Sequence, residues 1–273
     1  MLNMFLSIPS SFDLFGLKVN FYGLITALSY IAGILITCLL AKKRGFKGED
    51  IITLACYVVP FAIIGARVYY VLFKLENYTN FWDVFKIWEG GLAFYGGLIG
   101  GAIAVLLYCK IHKKNFFALL DIIAPALIFA QALGRWGNFF NQEAFGIVIK
   151  NPSLQWFPFA VFIDRTQQWH AATFFYESMW NLITFAVLIV LLYKCKFKHN
   201  GIIASFYLLL YGIGRLWIEG LRTDSLYIGN IRISQLLSII FVIIGATTII
   251  YSFMQKKKKK DSFDIIMEAI KKS

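Results

Sequence analysis

Residues 21–41 read FYGLITALSYIAGILITCLLA and residues 42–50 continue as KKRGFKGED. The first stretch carries no charged side chain, and Lys42, Lys43 and Arg44 follow it directly. At about 1.5 Å of rise per residue, some 20 apolar residues cross the ~30 Å hydrocarbon core of a bilayer. The pattern predicts a membrane-spanning helix closed by a basic cluster.

Working outward from this stretch, six further apolar runs of similar length lie near 51–74, 92–109, 117–134, 172–193, 201–219 and 234–254. The expected fold is an all-α polytopic membrane protein with seven transmembrane helices. Composition agrees. Of the 273 residues, 59% are hydrophobic and 15% are charged, where soluble domains carry about 25% charged residues. Mean hydropathy is +0.67. A soluble fold of this size leaves roughly a quarter of its unfolded surface in water and could not hide so much apolar area. An average soluble enzyme, a disordered chain and a nucleic-acid binder are excluded.

Orientation follows from the basic residues. The connections 42–50, 110–116 and 194–200 hold ten of the 27 Lys and Arg, and residues 255–273 add seven more. The alternate segments 1–20, 74–90, 135–171 and 220–233 are far longer yet hold eight. The N-terminus is therefore expected outside and the C-terminus in the cytoplasm, and the formal net charge of +12 becomes a topology signal. Residues 1–20 read as an outer-surface arm, since they lack a basic start and Pro9, Ser10 and Asp13 interrupt any apolar core. Residues 21–254 form the seven-span catalytic domain, with an outer loop segment at 135–171. Residues 255–273 form a basic cytoplasmic tail in which Phe263, Ile266, Met267 and Ile270 share a helical face suited to anionic lipid. A solvated tail behind a stop-transfer cluster fits equally. Cys38, Cys56, Cys109 and Cys195 have no CxxC spacing and read as apolar fillers, and three scattered histidines suggest no metal.

Polar groups within a membrane are costly and mark function. Arg67 lies late in span 2, Tyr22 opens span 1, and Glu89 and Tyr95 open span 3. Span 4 ends in Gly134-Arg-Trp-Gly-Asn-Phe-Phe-Asn-Gln-Glu-Ala-Phe-Gly146, which reads as a polar turn. Tyr176 and Glu177 begin span 5, and span 6 ends with Arg215 and Glu219 one helical turn apart. All fall at one depth, the outer half of the membrane. Arg67, Arg135 and Arg215 with few acids nearby suit an anionic ligand, and the arginine fork suits phosphate. Glu143 and Glu219 are candidates to hold those guanidiniums. A site at lipid depth, rich in Arg and Gly, points to a phospholipid headgroup. Plainer readings stand beside this one. The glycines of span 3 fit helix packing, Arg215–Glu219 fits a structural ion pair, and Tyr22 and Tyr95 fit interfacial aromatics.

The 134–146 stretch resembles the signature of the prolipoprotein diacylglyceryl transferases, G-R-x-G-N-F-x-N-x-E-x-x-G. The resemblance extends to Tyr22-Gly23, to GGLAFYGG at 90–97, to Arg215-x-x-x-Glu219-x-x-Arg222 and to Gln235-x-x-Ser238, and so covers most of residues 20–240. It implies a multi-pass enzyme of the bacterial cytoplasmic (inner) membrane. Such an enzyme moves the diacylglyceryl group of phosphatidylglycerol onto the lipobox cysteine thiol of a prolipoprotein, forming a thioether and releasing glycerol 1-phosphate. The resemblance makes Arg135, Arg215, Glu219 and Tyr95 catalytic candidates. It also implies that Arg135 and Arg215 contact phosphatidylglycerol, together with Asn138, Glu143, Gly146 and Tyr22, and Arg67, read from its residue type and depth, is a further candidate for this contact. No cofactor or metal is implied. Two positions depart from the pattern. Tyr95 stands where some members have histidine and others tyrosine, and AATFFYES at 171–178 replaces a frequent HPTxxYES, which leaves His170 without a role. An anion transporter, a receptor and a lipid-modifying enzyme with another acceptor are the alternatives. No internal repeat supports the first, and the signature has no place in the second.

Overall fold

Lipid offers no partner for backbone N–H and C=O groups, so a spanning segment must satisfy them within itself, as a helix does. The computed structural model describes residues 9–78, 80–87, 90–195, 199–223, 227–228 and 231–272. Glu89, Lys196 and Lys198, used in the sequence reading, lie outside them.

Helices α1 (Phe21–Leu40), α2 (Gly48–Phe73), α3 (Phe94–Ile111), α4 (Phe116–Phe140), α5 (Thr173–Lys194), α6 (Ile202–Leu221) and α7 (Ile233–Lys272) follow in chain order. All seven are long and apolar enough to cross a membrane, α7 over Ile233–Gln255. Beyond Gln255 the α7 backbone stays helical to Lys272.

The solvent preference is inverted relative to a soluble protein. Leu28, Tyr30, Ile31, Leu35 and Leu39 of α1 are exposed, whereas Asp121, Glu177, Ser178, Asn181, Thr184, Glu219 and Ser238 are buried. On α5 the buried positions 174, 177, 178, 181, 184 and 188 recur at helical spacing. The polar stripe faces protein and the apolar one faces lipid.

The ends of the helices carry specific stops. Gly45, at φ +77°, closes the short 3₁₀ turn Ala41–Arg44 after α1, a conformation glycine adopts without strain. Asp50 accepts from the Lys47 amide at 2.8 Å and pairs with Lys114 at 2.8 Å. The start of α4 is capped by Asn115, which accepts from the Ala118 amide at 2.8 Å. The start of α6 is capped from another helix, by fully buried Asp121 of α4. Its two oxygens accept from Gly201 at 2.9 Å and Ala204 at 3.1 Å.

Sequence reading expected helices alone. The structure adds three short antiparallel hairpins in the connections: β1–β2 (Ser11–Leu14, Leu17–Asn20), β3–β4 (Ala160–Ile163, Gln168–Ala171) and β5–β6 (Tyr227–Ile228, Ile231–Arg232). The 134–146 stretch also differs from the expected turn. Helix α4 runs on through Gly134 and Gly137 to Phe140, because glycine is well tolerated in membrane helices. Only residues 141–146 turn.

The chain divides into two compact units, residues 34–119 and the remainder. In the first, α2 and α3 pack backbone to backbone. A side chain on Gly65 would strike the Gly96 carbonyl, and one on Gly100 would strike the Phe61 carbonyl. The glycines of span 3 at 96 and 100 are thus helix-packing positions. In the second unit, Gly212 and Gly245 bring α6 and α7 equally close, against the Ser238 and Ser205 carbonyls.

Candidate active site

The C-terminal half of α4 places its residues on two faces. Trp136 and Phe139 turn into an aromatic cluster, with ring centroids 5.6 and 5.0 Å from Phe174. Arg135 and Asn138, one turn apart, are left on the other side. The Trp136 indole donates to Ser178 Oγ at 3.2 Å, and Ser178 donates to the Ala132 carbonyl at 2.9 Å. These bonds fix α4 against α5 and bring Glu177, the neighbour of Ser178, to Arg135. Helix α6 reaches the same point because Gly214 leaves room for the Trp180 ring, whose Nε1 donates to the Leu210 carbonyl at 2.9 Å. Arg215, next to Gly214, then faces Glu177.

The result is an alternating chain of charges. Arg135 Nη2 lies 2.6 Å from Glu177 Oε1, Arg215 Nη1 lies 2.9 Å from Glu177 Oε2, and Arg215 Nη2 lies 2.8 Å from Glu219 Oε2. The side chains of Glu177 and Glu219 are 5% and 1% exposed, those of Arg215 and Arg135 13% and 22%. Charge-assisted pairs in so little water hold their geometry firmly. Arg232 adds a further cation, donating to the Glu219 carbonyl.

The other signature residues extend outward from Arg135. Asn138 Oδ1 lies 3.4 Å from Arg135 Nη1, and Asn138 Nδ2 donates to Glu143 Oε1 at 2.9 Å. Glu143 therefore holds Asn138, while Glu219 holds Arg215. The ring of Tyr22 lies over Gly137, where a Cβ would sit 3.0 Å from it. The turn after α4 is strained but well tied. Gln142 and Ala144 have φ of +48° and +56°, a region costly for residues other than glycine. Gln142 exchanges two hydrogen bonds with Asp164, at 2.6 and 2.8 Å, and Thr173 Oγ1 donates to the Ala144 carbonyl. A side chain on Gly146 would meet Ala171, Thr173 and the Leu221 carbonyl within 3.0 Å. Gly146 is a packing position that lets three segments converge. His170, buried, bonds through one ring nitrogen to the Gly146 carbonyl at 2.8 Å and through the other to Thr166 at 3.0 Å. It locks this turn to the β3–β4 hairpin.

Comparison with known proteins settles the relationship. The family model for prolipoprotein diacylglyceryl transferase matches residues 9–251. The chain belongs to this family. A phosphatidylglycerol--prolipoprotein diacylglyceryl transferase 1 of Clostridium perfringens is 44% identical over 256 residues, covering 92% of this chain and 97% of its own. A phosphatidylglycerol--prolipoprotein diacylglyceryl transferase of Synechocystis is 41% identical, covering 93% and 92%. One of Streptococcus equi subsp. equi is also 41% identical, covering 93% and 98%.

Within the chain, one unit holds Tyr22, Arg135, Asn138, Glu143, Gly146, Arg215 and Glu219, while Arg67 and Tyr95 belong to the other. Tyr95 stands in the first turn of α3, partly exposed and edge-on to Phe94. Arg67, grouped with the phosphatidylglycerol contacts by sequence, is differently occupied. Its Nε donates to the Val84 carbonyl, Nη1 to those of Gly90 and Gly91, and Nη2 to those of Asp83 and Lys86, at 2.7–3.3 Å. A guanidinium has five N–H donors, and all are spent on backbone. Arg67 anchors the backbone at 83–86 and at 90–91, and its guanidinium lies over the Tyr78 ring.

Sequence reasoning placed Glu177 at the start of span 5 but gave it no role in the site. It saw few acids near the arginines, whereas this carboxylate joins two of them. A signal was available: Glu177 is the one acidic residue within the fifth apolar run, and an intramembrane carboxylate implies a cationic partner.

Proposed function

We propose that this protein transfers the diacylglyceryl group of phosphatidylglycerol to the cysteine thiol of a prolipoprotein, the first step of lipoprotein maturation. Membership of the family and relatives so named at 41–44% identity support the reaction. The observation that carries the reading is the arginine pair. Arg135 and Arg215 come from different helices, and each binds one oxygen of the same carboxylate. Two guanidiniums held at that separation match two oxygens of one phosphate. Arg135 Nη1, with its long 3.4 Å contact to Asn138, has capacity to spare.

In this mechanism the arginines bind the phosphodiester and stabilise the charge that grows on the departing oxygen. The lipobox thiol, with an unperturbed pKa near 8.5, attacks as thiolate. The C–S bond forms at the glyceryl carbon, the C–O bond to phosphate breaks, and glycerol 1-phosphate leaves. The thiol proton passes to the leaving phosphate or to solvent. Asn138 and Glu143 orient Arg135, Glu219 orients Arg215, and Tyr22 contributes hydrogen bonding and positioning. The bias of Lys and Arg supports a site facing the outer leaflet of the bacterial inner membrane, with the C-terminus in the cytoplasm.

The test uses purified protein, phosphatidylglycerol vesicles and a lipobox peptide, with mass spectrometry of the peptide. A diacylglyceryl adduct on the cysteine, absent from a Cys→Ala peptide, is the expected result. Phosphatidylglycerol binding without an adduct would move the acceptor to another molecule and overturn the reading.

A further inference from the structure

Glu177 and Glu219 match the charges of Arg135 and Arg215 one for one, with Arg232 at the Glu219 carbonyl as a further cation. For a site that binds phosphate this matching of the two arginines needs a reason, since two bare arginines would hold an anion more strongly. The reason lies in the difference between substrate and product. A phosphodiester carries one negative charge, whereas a phosphomonoester with a second pKa near 6 carries about −1.5 to −2 at neutral pH. The reaction therefore adds charge to the group that must leave. A site held by arginine alone would keep its product better than its substrate.

We propose that Glu177 is a built-in counter-ion that prevents the arginine pair from retaining the phosphomonoester product. It is a positioning residue, acting through Arg135 and Arg215, and the inference rests on the transfer reading above. Three observations carry it. Glu177 spends one oxygen on each arginine, so it fixes their separation and offsets both at once. It is 5% exposed, so water screens it little. Glu219 cannot substitute for it, because among the described residues its carboxylate is paired with Arg215 and not with Arg135. At ~6 Å and an effective dielectric near 20, one buried charge changes the affinity for an anion roughly a hundredfold per unit of ligand charge. The half to full extra charge on the monoester then makes Glu177 worth about ten- to a hundredfold in discrimination between product and substrate.

The test measures binding of glycerol 1-phosphate, a monoester, against glycerophosphoglycerol, the diester headgroup without acyl chains. Calorimetry is run on the full-length protein and on Glu177→Gln and Glu177→Asp. The wild type should bind the two ligands within a few-fold of each other. Glu177→Gln should favour the monoester by at least about tenfold over the wild-type ratio, and Glu177→Asp, which keeps the charge, should lie near the wild type. In turnover, Glu177→Gln should show a lower inhibition constant for glycerol 1-phosphate together with a lower kcat. General damage to the site would weaken both ligands and leave their ratio unchanged, and that result overturns the proposal. So does a wild type that already prefers the monoester more than tenfold, a comparison that needs no variant to fold. Failure of the wild type to modify a lipobox peptide would instead strike the transfer reading, while the affinity ratio still decides the role of Glu177.

Discussion

Arg215→Ala removes a guanidinium that touches both buried carboxylates. Glu177 keeps Arg135 at 2.6 Å, but Glu219, 1% exposed, loses the cation that lies 2.8 Å from it. Breaking a buried pair from one side leaves an uncompensated charge and costs about 3–5 kcal/mol. Arg215→Ala should therefore lower stability by that order while the protein still inserts. Replacing Glu219 by Gln in the same chain removes the orphaned charge. The double variant should recover most of the loss, about 2–3 kcal/mol. Catalysis should behave differently. The phosphate has lost one of its two guanidiniums in both proteins, and removal of one preorganised donor typically costs about 10²–10³ in rate. Turnover should fall by at least that factor in Arg215→Ala and should not return in the double variant. Thermal unfolding in detergent micelles of the wild type, both single variants and the double variant gives the stability cycle. Peptide mass spectrometry gives the transfer rate. Near-normal turnover in Arg215→Ala would refute the phosphate-clamp argument. A double variant as unstable as Arg215→Ala would refute the assignment of Glu219 as a buried charge balanced by Arg215.

Three more outcomes follow from the geometry. Arg67→Lys keeps the charge but replaces a five-donor fork by a single ammonium, so several of the carbonyls at 83–91 lose their donor; amide exchange over 83–92 should accelerate markedly, and unchanged protection there would show that the loop is held by other means. Gly100→Ala drives a methyl group into the Phe61 backbone and should destabilise the α2–α3 pair by about 1–3 kcal/mol, read as a lower unfolding temperature in micelles, whereas Gly101→Ala, whose Cβ would have only Val58 at 3.9 Å, should change little. Asp121→Ala strips the cap from α6, leaving the Gly201 and Ala204 amides without their acceptor, and should cost about 1–3 kcal/mol; exchange at those two amides should rise first.

The seven spans were legible because hydrophobic length is a one-dimensional property, and the apolar runs read from the chain lie within a few residues of the helices. Among the membrane-spanning portions the largest discrepancy is at α4. Gly134 and the polar run after it look like a stop, yet the helix continues to Phe140 because Trp136 and Phe139 are needed on its buried face. The hairpins were not legible. Strands of two to four residues carry too little alternation to register, and β3–β4 is held as much by His170, Gln142 and Tyr176 as by its own ladder.

The polar residues show more clearly where sequence stops. Their depth in the membrane could be read from position along each span, which is why Arg135, Arg215, Glu219 and Glu177 were all marked as lying at one level. Their pairing could not, because it depends on rotation and approach of helices that are far apart in the chain. Glu177 faces two arginines because the Ser178–Trp136 bond sets α5 against α4 and the Trp180 ring seats on Gly214 of α6. Neither contact involves a charge or carries a motif of its own. Arg67 illustrates the same limit in reverse. Residue type and depth placed it with the arginines proposed for phosphate, but the backbone carbonyls of Asp83, Val84, Lys86, Gly90 and Gly91 take every donor. What separates a ligand-binding arginine from a structural one is the number of donors left after the fold is made. By that criterion we propose Arg135, half-committed and partly exposed, as the residue that first meets the phosphate, and Arg215, fixed between two carboxylates, as the one that holds it.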